Sequence, residues 1–510
     1  MAQDPPSASL AVRTARGAGW IIVWRMSSRL LGIVSTVVLV RLLPPADFGL
    51  VALATSFSQA VEWISGIGVN DALVREKELD RPLYDTGFTL NLLRGLVMSV
   101  AIAAEAVPVA QFFNDSRLTT IMLVLAATTF AGAIENIGTV DFRRTLAFEK
   151  EFMLSVVPRV AAILSSIAVA VIFRNYWALI AGIIAFRALR MGLSYWMHAY
   201  RPRLTLRAWR QLIGFSFWSW LSAIVQLVRD RADTVVIGRL FGPTLVGVYS
   251  VGWEIGSLAS TELVEPLTAA LFAGFAEARR TGTNVSEGYF KAISATFLLT
   301  LPLGVGLSQL ADPVIRLAFG TRWLEAVPLV QVFALVCTLK VIAYFSGVLL
   351  NAQGLIQIQF RILLAAASTR VALLAVLVAS FGLMGAAAAA IGSIAVEEVL
   401  FIAFTFRRFH LRARDLIRGI WRCLLATAAM AVVLSWEGLG WTTSGDTAGA
   451  QVYDLMVGVA SGGATYTAVL LAAWWTAGRP SGAETVFLDV LRGTLRHLLR
   501  ARRKVAGTGG

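Results

Sequence analysis

Hydrophobic runs of about 18 to 25 residues recur along the whole chain, and each is long enough to cross a bilayer as an α-helix. Short polar links separate them. This pattern predicts an all-α membrane protein with about fourteen spanning helices and no soluble domain. The approximate cores of these spans are residues 18–40, 47–67, 87–110, 118–139, 152–173, 176–197, 211–236, 246–271, 290–312, 325–349, 359–380, 383–405, 419–436 and 453–475.

One polar link of the first half returns in the second half. RLLPPADFGL, from Arg41 to Leu50, recurs as RLFGPTLVGV, from Arg239 to Val248, at an offset of 198 residues. In both copies a glycine follows the arginine by eight residues. The links TLAFEKEF and NAQGLIQIQF form a second echo at an offset of 208 residues. Repeats of this length are typical of duplicated transporters, so we expect residues 18–197 to superpose on 211–405 about a pseudo-two-fold axis.

Composition agrees with the hydrophobic pattern. Hydrophobic residues make up 57% of the chain and charged residues 15%, whereas a soluble domain has about 25% charged residues. The polar N-terminus lacks a signal-peptide core, so the first span would drive insertion. Cys337 and Cys423 lie inside apolar runs, and the three histidines are scattered. We therefore expect no disulfide framework, no metal site and no cofactor.

The links alternate between strongly basic and sparsely basic along the chain. The positive-inside rule places the basic links and both termini in the cytoplasm, which requires an even number of spans, such as fourteen. The chain would then be a multi-pass membrane protein. The basic set comprises Arg13, Arg16, Arg143, Arg144, Lys150, Arg201, Arg203, Arg207, Arg210, Arg279, Arg280, Arg407, Arg408, Arg412, Arg414 and Arg418.

The segment 483–504 carries leucines on one helical face and arginines on another. This arrangement predicts an amphipathic basic helix on the anionic inner leaflet; the alternative is a solvated basic tail.

Arginines lie inside several spans of the first half. Arg25 and Arg29, with Gly32 and Thr36, form one polar face of the first span. Because a charge in lipid costs free energy, such residues face a cavity, form ion pairs or extend to the interface. Guanidinium groups bind phosphate oxygens bidentately, so we expect an anionic cargo. The predicted substrate-binding residues are Arg25, Arg29, Arg94, Arg159 and Arg187.

Carboxylates dominate the second half. Asp230 and Asp233 lie in the seventh span, where Arg229 can pair with Asp233 four residues away, and Glu262 and Glu265 lie in the eighth. Carboxylates at this depth can titrate or hold Na⁺, so we expect these four residues to carry any coupling to H⁺ or Na⁺. The alternative is a structural ion-pair network.

Three segments resemble those of polysaccharide flippases of the multidrug/oligosaccharidyl-lipid/polysaccharide exporter superfamily, with the match extending over about 15–435. They are GWIIVWRMSSRLLGIVSTVVLVRLLPPADFGLVALATSF, DFRRTLAFEKEF and DTVVIGRLFGPTLVGVYSVGWEI. The resemblance implies two six-helix lobes around a central cavity, which we place at 15–200 and 205–410, with two additional helices in 415–480. Drug and cation exporters of the superfamily often carry acids in the N-terminal lobe. Here the first span has arginines, which argues against that branch.

The resemblance also implies a function, which is the flipping of an undecaprenyl-pyrophosphate-linked oligosaccharide by alternating access, for exopolysaccharide or lipopolysaccharide synthesis. The expected partners are this lipid-linked oligosaccharide, membrane lipids, a coupling ion and a polysaccharide polymerase, with no nucleic acid. A lipid II flippase and a small-molecule antiporter remain alternatives within the superfamily. A glycan polymerase or ligase is a further alternative, but the chain lacks the catalytic motifs and the large outer loop that such an enzyme needs.

Overall fold

The computed structural model describes residues 31–32, 34–64, 69–75, 80–145, 147–212 and 217–479. Every regular element in these ranges is a helix, which confirms the all-α prediction. Arg25 and Arg29 lie outside the described residues, as does the basic segment 483–504. The chain divides into two compact units, residues 1–247 and 248–510.

In its described part, the first unit begins with helical residues at 31–32 and 34–42. Nine further helices follow, and a 3-10 turn, Ile137–Thr139, precedes the fifth of these. They are α1 Pro45–Ile64, α2 Val69–Arg75, α3 Arg81–Phe113, α4 Arg117–Ala133, α5 Val140–Arg144, α6 Phe148–Phe173, α7 Trp177–Met197, α8 Trp209–Leu212 and α9 Phe217–Phe241.

Helix α10, Pro243–Thr281, begins in the first unit and continues into the second. A 3-10 helix, Thr321–Ala326, precedes α13. The other described helices of the second unit are α11 Ser286–Gln309, α12 Ala311–Ala318, α13 Val327–Leu339, α14 Val341–Ala352, α15 Ile356–Arg408, α16 Ala413–Trp436 and α17 Ala448–Thr476.

Local sequence sets the ends of α3. The Asp80 side chain accepts a hydrogen bond from the Leu83 amide at 3.0 Å, and a proline lies in the first turn, as helix starts prefer. Asn114 ends the helix in the left-handed conformation, with φ of 54°. In the connection that follows, the Arg117 guanidinium donates to the Asp115 carboxylate at 2.6 Å and lowers the pKa of that carboxyl group.

A linker latch ties residues 198–208 to the start of α3. The buried Asp85 carboxylate accepts hydrogen bonds from the Tyr200 hydroxyl at 2.5 Å and from the Arg203 amide at 3.0 Å. The Thr89 hydroxyl accepts from the amide of residue 205 at 3.0 Å, and the Thr86 hydroxyl accepts from that of residue 208 at 3.2 Å. The connection after α7 is therefore held by three buried side chains of one helix.

Two breaks interrupt the second unit. Gly382, with φ of 55° and ψ of −134°, lies inside the 53-residue helix α15 and separates two helical parts. This glycine lies between the predicted spans 359–380 and 383–405. Lys340 separates α13 from α14, within the predicted span 325–349. Only glycine adopts the Gly382 conformation readily, so the kink is encoded locally.

The second unit has a large hydrophobic core, which includes Tyr289, Phe297, Phe345 and Leu349. Among the described helices, eight are long and apolar enough to cross a membrane, or nine if the bent pair Arg117–Ala133 and Ile137–Arg144, which meet at 63°, forms one span. The chain is thus a multi-pass membrane protein, and the number fourteen stays a prediction.

Candidate functional site

A polar cavity of about 240 Å³ lies within the first unit. The residues around it come from α1 to α7 and from the turn before α5. Four arginines and three glutamates carry its charge, so the wall has one positive charge in excess. These residues are Arg94, Arg143, Arg187, Arg190, Glu62, Glu135 and Glu151.

Glu62 brings two of the predicted arginines to one point. The Arg187 guanidinium lies 3.7 Å from the Glu62 carboxylate, and Arg94 donates to the Glu62 backbone carbonyl at 3.4 Å. The Thr129 hydroxyl also donates to this carboxylate, at 3.2 Å. Two guanidinium groups therefore meet at one glutamate, one at its carboxylate and the other at its backbone carbonyl.

Two further ion pairs complete the wall. The Arg190 guanidinium donates to Glu135 at 3.0 Å, and that of Arg143 donates to Glu151 at 2.6 Å. Both arginines donate through Nε in these pairs. A bidentate contact with phosphate uses two nitrogens of the guanidinium group, either both Nη atoms or one Nη atom together with Nε.

Glycine opens the wall next to Arg187. A Cβ placed on Gly132 would lie 2.9 Å from the Arg187 Nη1 atom, so any larger residue would displace the guanidinium. Gly95 on α3 faces Ala133 on α4 at a distance too short for another side chain. Small residues of this kind let membrane helices approach closely.

Asn136 fixes the bend where α4 ends. Its backbone amide donates to the Ser194 hydroxyl at 3.0 Å, and its side-chain amide donates to the carbonyl oxygens of His198 at 3.2 Å and Tyr200 at 2.9 Å. Its side-chain oxygen accepts from the Gly138 amide at 3.0 Å. Asn136 lines the cavity and thereby connects it to residues 198 and 200 of the linker latch.

The other predicted substrate-binding residues lie apart from this cavity or outside the described chain. Arg159 is exposed on α6 and does not line the cavity. Glu62, Glu135 and Asn136 were missed by the sequence analysis. A glutamate near the end of an apolar span, such as Glu62 at the end of α1, is the signal that could have found the first of them.

The predicted coupling residues lie on α9 and α10. Arg229 pairs with Asp230 at 2.9 Å, a contact that belongs to the structural ion-pair network left open as the alternative by the sequence. Asp230 is half-exposed, and Asp233 is buried. Glu262 and Glu265 belong to α10, but their side chains lie outside the described set.

The second unit holds a cluster of charges in addition to the predicted coupling residues. The Glu398 carboxylate accepts from the Ala343 amide, with N···O distances of 3.2 and 3.3 Å, one turn after the break at Lys340. The Lys340 ammonium lies 5.9 Å from the centre of the Trp253 ring. The guanidinium group of Arg370, a buried residue, lies 5.8 Å from the same ring centre. Glu397, next to Glu398, is also buried. The two adjacent glutamates inside the apolar sequence SIAVEEVLF are the sequence signal that could have found this cluster.

The family described as "Polysaccharide biosynthesis protein" matches residues 38–328, more than half of the chain. The chain belongs to this family. Among curated proteins, this family member is 24% identical to the succinoglycan biosynthesis transport protein ExoT of Rhizobium meliloti, over 90% of the chain and 93% of the relative. It is also 24% identical to the lipopolysaccharide biosynthesis protein WzxC of Escherichia coli, over 69% and 73%.

Solved structures agree on the fold. This family member is similar to the lipid II flippase MurJ in an inward closed conformation, with a TM-score of 0.68 and 12% identity, over 90% of this chain and 100% of that one. It is similar to an inward-facing MATE-family multidrug transporter, with a TM-score of 0.59 and 15% identity, over 76% and 98%. At these identities the likeness shows the fold alone. Together with the family match, it confirms the resemblance to polysaccharide flippases of the multidrug/oligosaccharidyl-lipid/polysaccharide exporter superfamily.

Proposed function

We propose that this protein flips an undecaprenyl-pyrophosphate-linked oligosaccharide repeat unit across the bacterial inner membrane. The observation that carries the proposal is the arginine-rich cavity of the first unit, found in a chain of the polysaccharide biosynthesis family. Curated relatives bear the names of a succinoglycan transport protein and of a probable flippase, AglR, of Haloferax volcanii, which is 22% identical over 86% of this chain. These names support transport rather than glycan polymerisation.

The cavity suits a pyrophosphate chemically. Arg187 lies beside the Glu62 carboxylate and Arg94 donates to the Glu62 backbone carbonyl, so both guanidinium groups lie close to one region of the cavity where an anion can contact them. Arginine stays protonated at physiological pH, so the positive charge persists whichever side the cavity faces. Asn91 and Asn70, which are hydrogen-bonded to each other at 3.2 Å at the cavity, can donate to sugar hydroxyls.

Alternating access would couple this cavity to the two sides of the membrane. We propose that the predicted carboxylates of the second half, Asp230, Asp233, Glu262 and Glu265, respond to an H⁺ or Na⁺ gradient, and that a polysaccharide polymerase receives the flipped unit. The N- and C-termini would lie in the cytoplasm, as the basic links predict.

Transport in reconstituted vesicles tests the function directly. Fluorescent undecaprenyl-pyrophosphate oligosaccharide is placed in the inner leaflet, and its arrival in the outer leaflet is followed by quenching with a membrane-impermeant reagent. Protein-dependent flipping of this lipid, faster than that of lipid II, is the expected result. Equal or faster flipping of lipid II would favour the alternative lipid II flippase, and flipping of neither lipid would reject the proposal.

A deletion strain provides the matching test in cells. Loss of the protein should cause lipid-linked repeat units to accumulate with their sugars complete and unpolymerised. Accumulation of incomplete sugar chains would indicate an enzyme that acts earlier, and normal polysaccharide output would contradict the proposal.

A further inference from the structure

An apolar groove of about 460 Å³ runs along the first unit between α4 and α7. Residues of α4 line it at intervals of three and four, so one face of the helix forms its wall. The same spacing holds on α7. The apolar or small residues concerned are Thr120, Leu123, Val124, Ala127, Thr128 and Ala131 on α4, and Ile184, Ala188 and Met191 on α7.

The groove is open on its outer side. Leu123 is 48% exposed and Ile184 is 41% exposed, although both belong to helices in the membrane-spanning part of the chain. Thr129 and Gly132, on the other face of α4, line the polar cavity instead. Helix α4 therefore forms a wall between a polar compartment and an apolar one.

Arg187 joins the two compartments, because it lines both. Its guanidinium lies 3.7 Å from the Glu62 carboxylate in the cavity. Long basic side chains place their methylene groups along apolar surfaces and their charged groups in polar surroundings. A ligand with an anionic head at Arg187 and an apolar chain would thus have one environment for each part.

We propose that this groove holds the isoprenoid units nearest the pyrophosphate of the lipid-linked cargo while the pyrophosphate contacts Arg187; the inference rests on the proposed function. The groove is too small for a complete polyprenyl chain, so the remainder stays in the bilayer. Lipid tails are as apolar as the groove, so burial itself adds little affinity. The groove instead directs the chain, and it selects lipids whose first apolar units are joined directly to a pyrophosphate.

Photo-crosslinking tests this arrangement with the full chain in phosphatidylglycerol-containing vesicles. The probe is undecaprenyl pyrophosphate with a diazirine on an isoprene unit near the pyrophosphate. Label should map to α4 and α7. Ala127→Trp, on an exposed position of the groove, should reduce this labelling and oligosaccharide flipping by about tenfold or more, because the indole fills the groove and misplaces the cargo relative to Arg187.

Ala104→Trp is the matched control, because Ala104 is equally exposed on α3 but does not line the groove. It should leave labelling and flipping unchanged. Ala188→Trp blocks the groove from the opposite wall, on α7, and should behave like Ala127→Trp. Agreement between the two variants separates blocking of the groove from misfolding of one helix. Melting temperatures of all three variants verify that they fold.

Three results would overturn the inference: label elsewhere, wild-type flipping in both blocked variants, or equal competition by excess phosphatidylglycerol. The last would identify a general lipid site. If wild-type protein flips no lipid-linked oligosaccharide at all, the proposed function fails instead, and crosslinking alone then decides whether the groove binds the prenyl chain.

Discussion

Gly49 and Gly247 occupy the same place in the two copies of the repeated link, and each lies against the backbone of the other. A Cβ placed on Gly49 would lie 2.8 Å from the Gly247 amide nitrogen, and one on Gly247 would lie 3.1 Å from that of Gly49. Each would also run into a proline carbonyl at the start of the other helix. The repeat therefore encodes a reciprocal contact between α1 and the first turn of α10.

Because of this contact, we expect glycine-to-alanine substitutions at Gly49 and Gly247 to change stability in the direction opposite to the usual one. Alanine in place of a helical glycine normally stabilises by about 1 kcal/mol. At Gly49 or Gly247 the added methyl group meets backbone, so overpacking of about 1–3 kcal/mol should exceed that gain and destabilise the protein. Thermal unfolding of the purified protein in detergent should show a lower Tm for Gly49→Ala and for Gly247→Ala.

Gly274 provides the control on the same helix, α10, because a Cβ there meets nothing within 4 Å. Gly274→Ala should leave the Tm unchanged or raise it. A Tm that rises equally in all three variants would show that the two glycines are not in close contact.

The cavity arginines should matter more than exposed ones. Arg94→Gln and Arg187→Gln each remove a guanidinium beside Glu62, and a hydrogen bond to a charged group contributes about 1.5–3 kcal/mol. Initial flipping rates at limiting cargo should fall by about tenfold or more in vesicles. Arg280→Gln, at an exposed position near the end of α10, is the control and should keep the wild-type rate.

Arg159 separates the sequence-based prediction from the structural one. The sequence groups it with Arg94 and Arg187, whereas the structure places it on the exposed face of α6. We expect Arg159→Gln to flip cargo faster than either cavity variant. A loss equal to theirs would mean that the cargo contacts surfaces beyond the cavity.

Arg25 and Arg29, outside the described residues, keep their predicted role, and Arg25→Ala or Arg29→Ala should abolish export without loss of insertion.

The linker latch makes a prediction about local stability. Thr89→Ala removes the acceptor of the residue 205 amide, and Asp85→Ala removes that of Tyr200 and Arg203. Loss of a partner for a buried polar group costs about 1–3 kcal/mol. Proteolysis within 198–208 should therefore accelerate in both variants. Thr283→Ala, at an exposed turn, should leave cleavage there unchanged.

The latch should also respond to pH in one direction. Burial, and then the hydrogen bond to Asp85, raise the pKa of the Tyr200 phenol. A group with a raised folded-state pKa contributes stability below its unfolded value, near 10, and loses it as the pH rises further. Cleavage of the linker should thus stay slow up to that pH and accelerate above it, and Tyr200→Phe should remove the dependence. An unchanged profile in Tyr200→Phe would assign the response to another group.

Hydrophobic patterning predicted the helices better than the contacts among them. Among the described residues, helices occupy most of each predicted core from 47–67 onward, and the gap between the cores 359–380 and 383–405 coincides with the kink at Gly382, because both features depend on local sequence. The break at Lys340 was missed, since its neighbours Leu339 and Val341 are apolar and no glycine or proline lies beside it. Glu62 and Arg187 are 125 residues apart, and no local pattern reports which charges a folded bundle brings together.

Topology can be tested across one helix. Arg412 precedes α16 and Thr443 follows it, and a 24-residue helix is about 36 Å long, enough to cross a hydrocarbon core of about 30 Å. Reporter fusions at Arg412 and Thr443 should therefore report the cytoplasm and the periplasm, respectively. Cytoplasmic signals from both would contradict the predicted orientation.

For ion coupling, the structure adds a carboxylate to those that the sequence singles out. Glu398 accepts a backbone amide beside the break between α13 and α14, with Glu397 adjacent and Lys340 at the break itself. A carboxylate that caps broken backbone can couple its charge to helix geometry, because loss of the charge weakens the hydrogen bond.

Glu398→Gln should abolish the response of flipping to a pH or Na⁺ gradient while cargo binding persists. Glu262→Gln with Glu265→Gln should do the same if the coupling lies on α10. Glu437→Gln, at an exposed position after α16, should retain the full response. Since each set is replaced separately, the set whose loss removes the gradient dependence identifies the coupling site, and an unchanged dependence in both would show that these carboxylates form only structural ion pairs and caps.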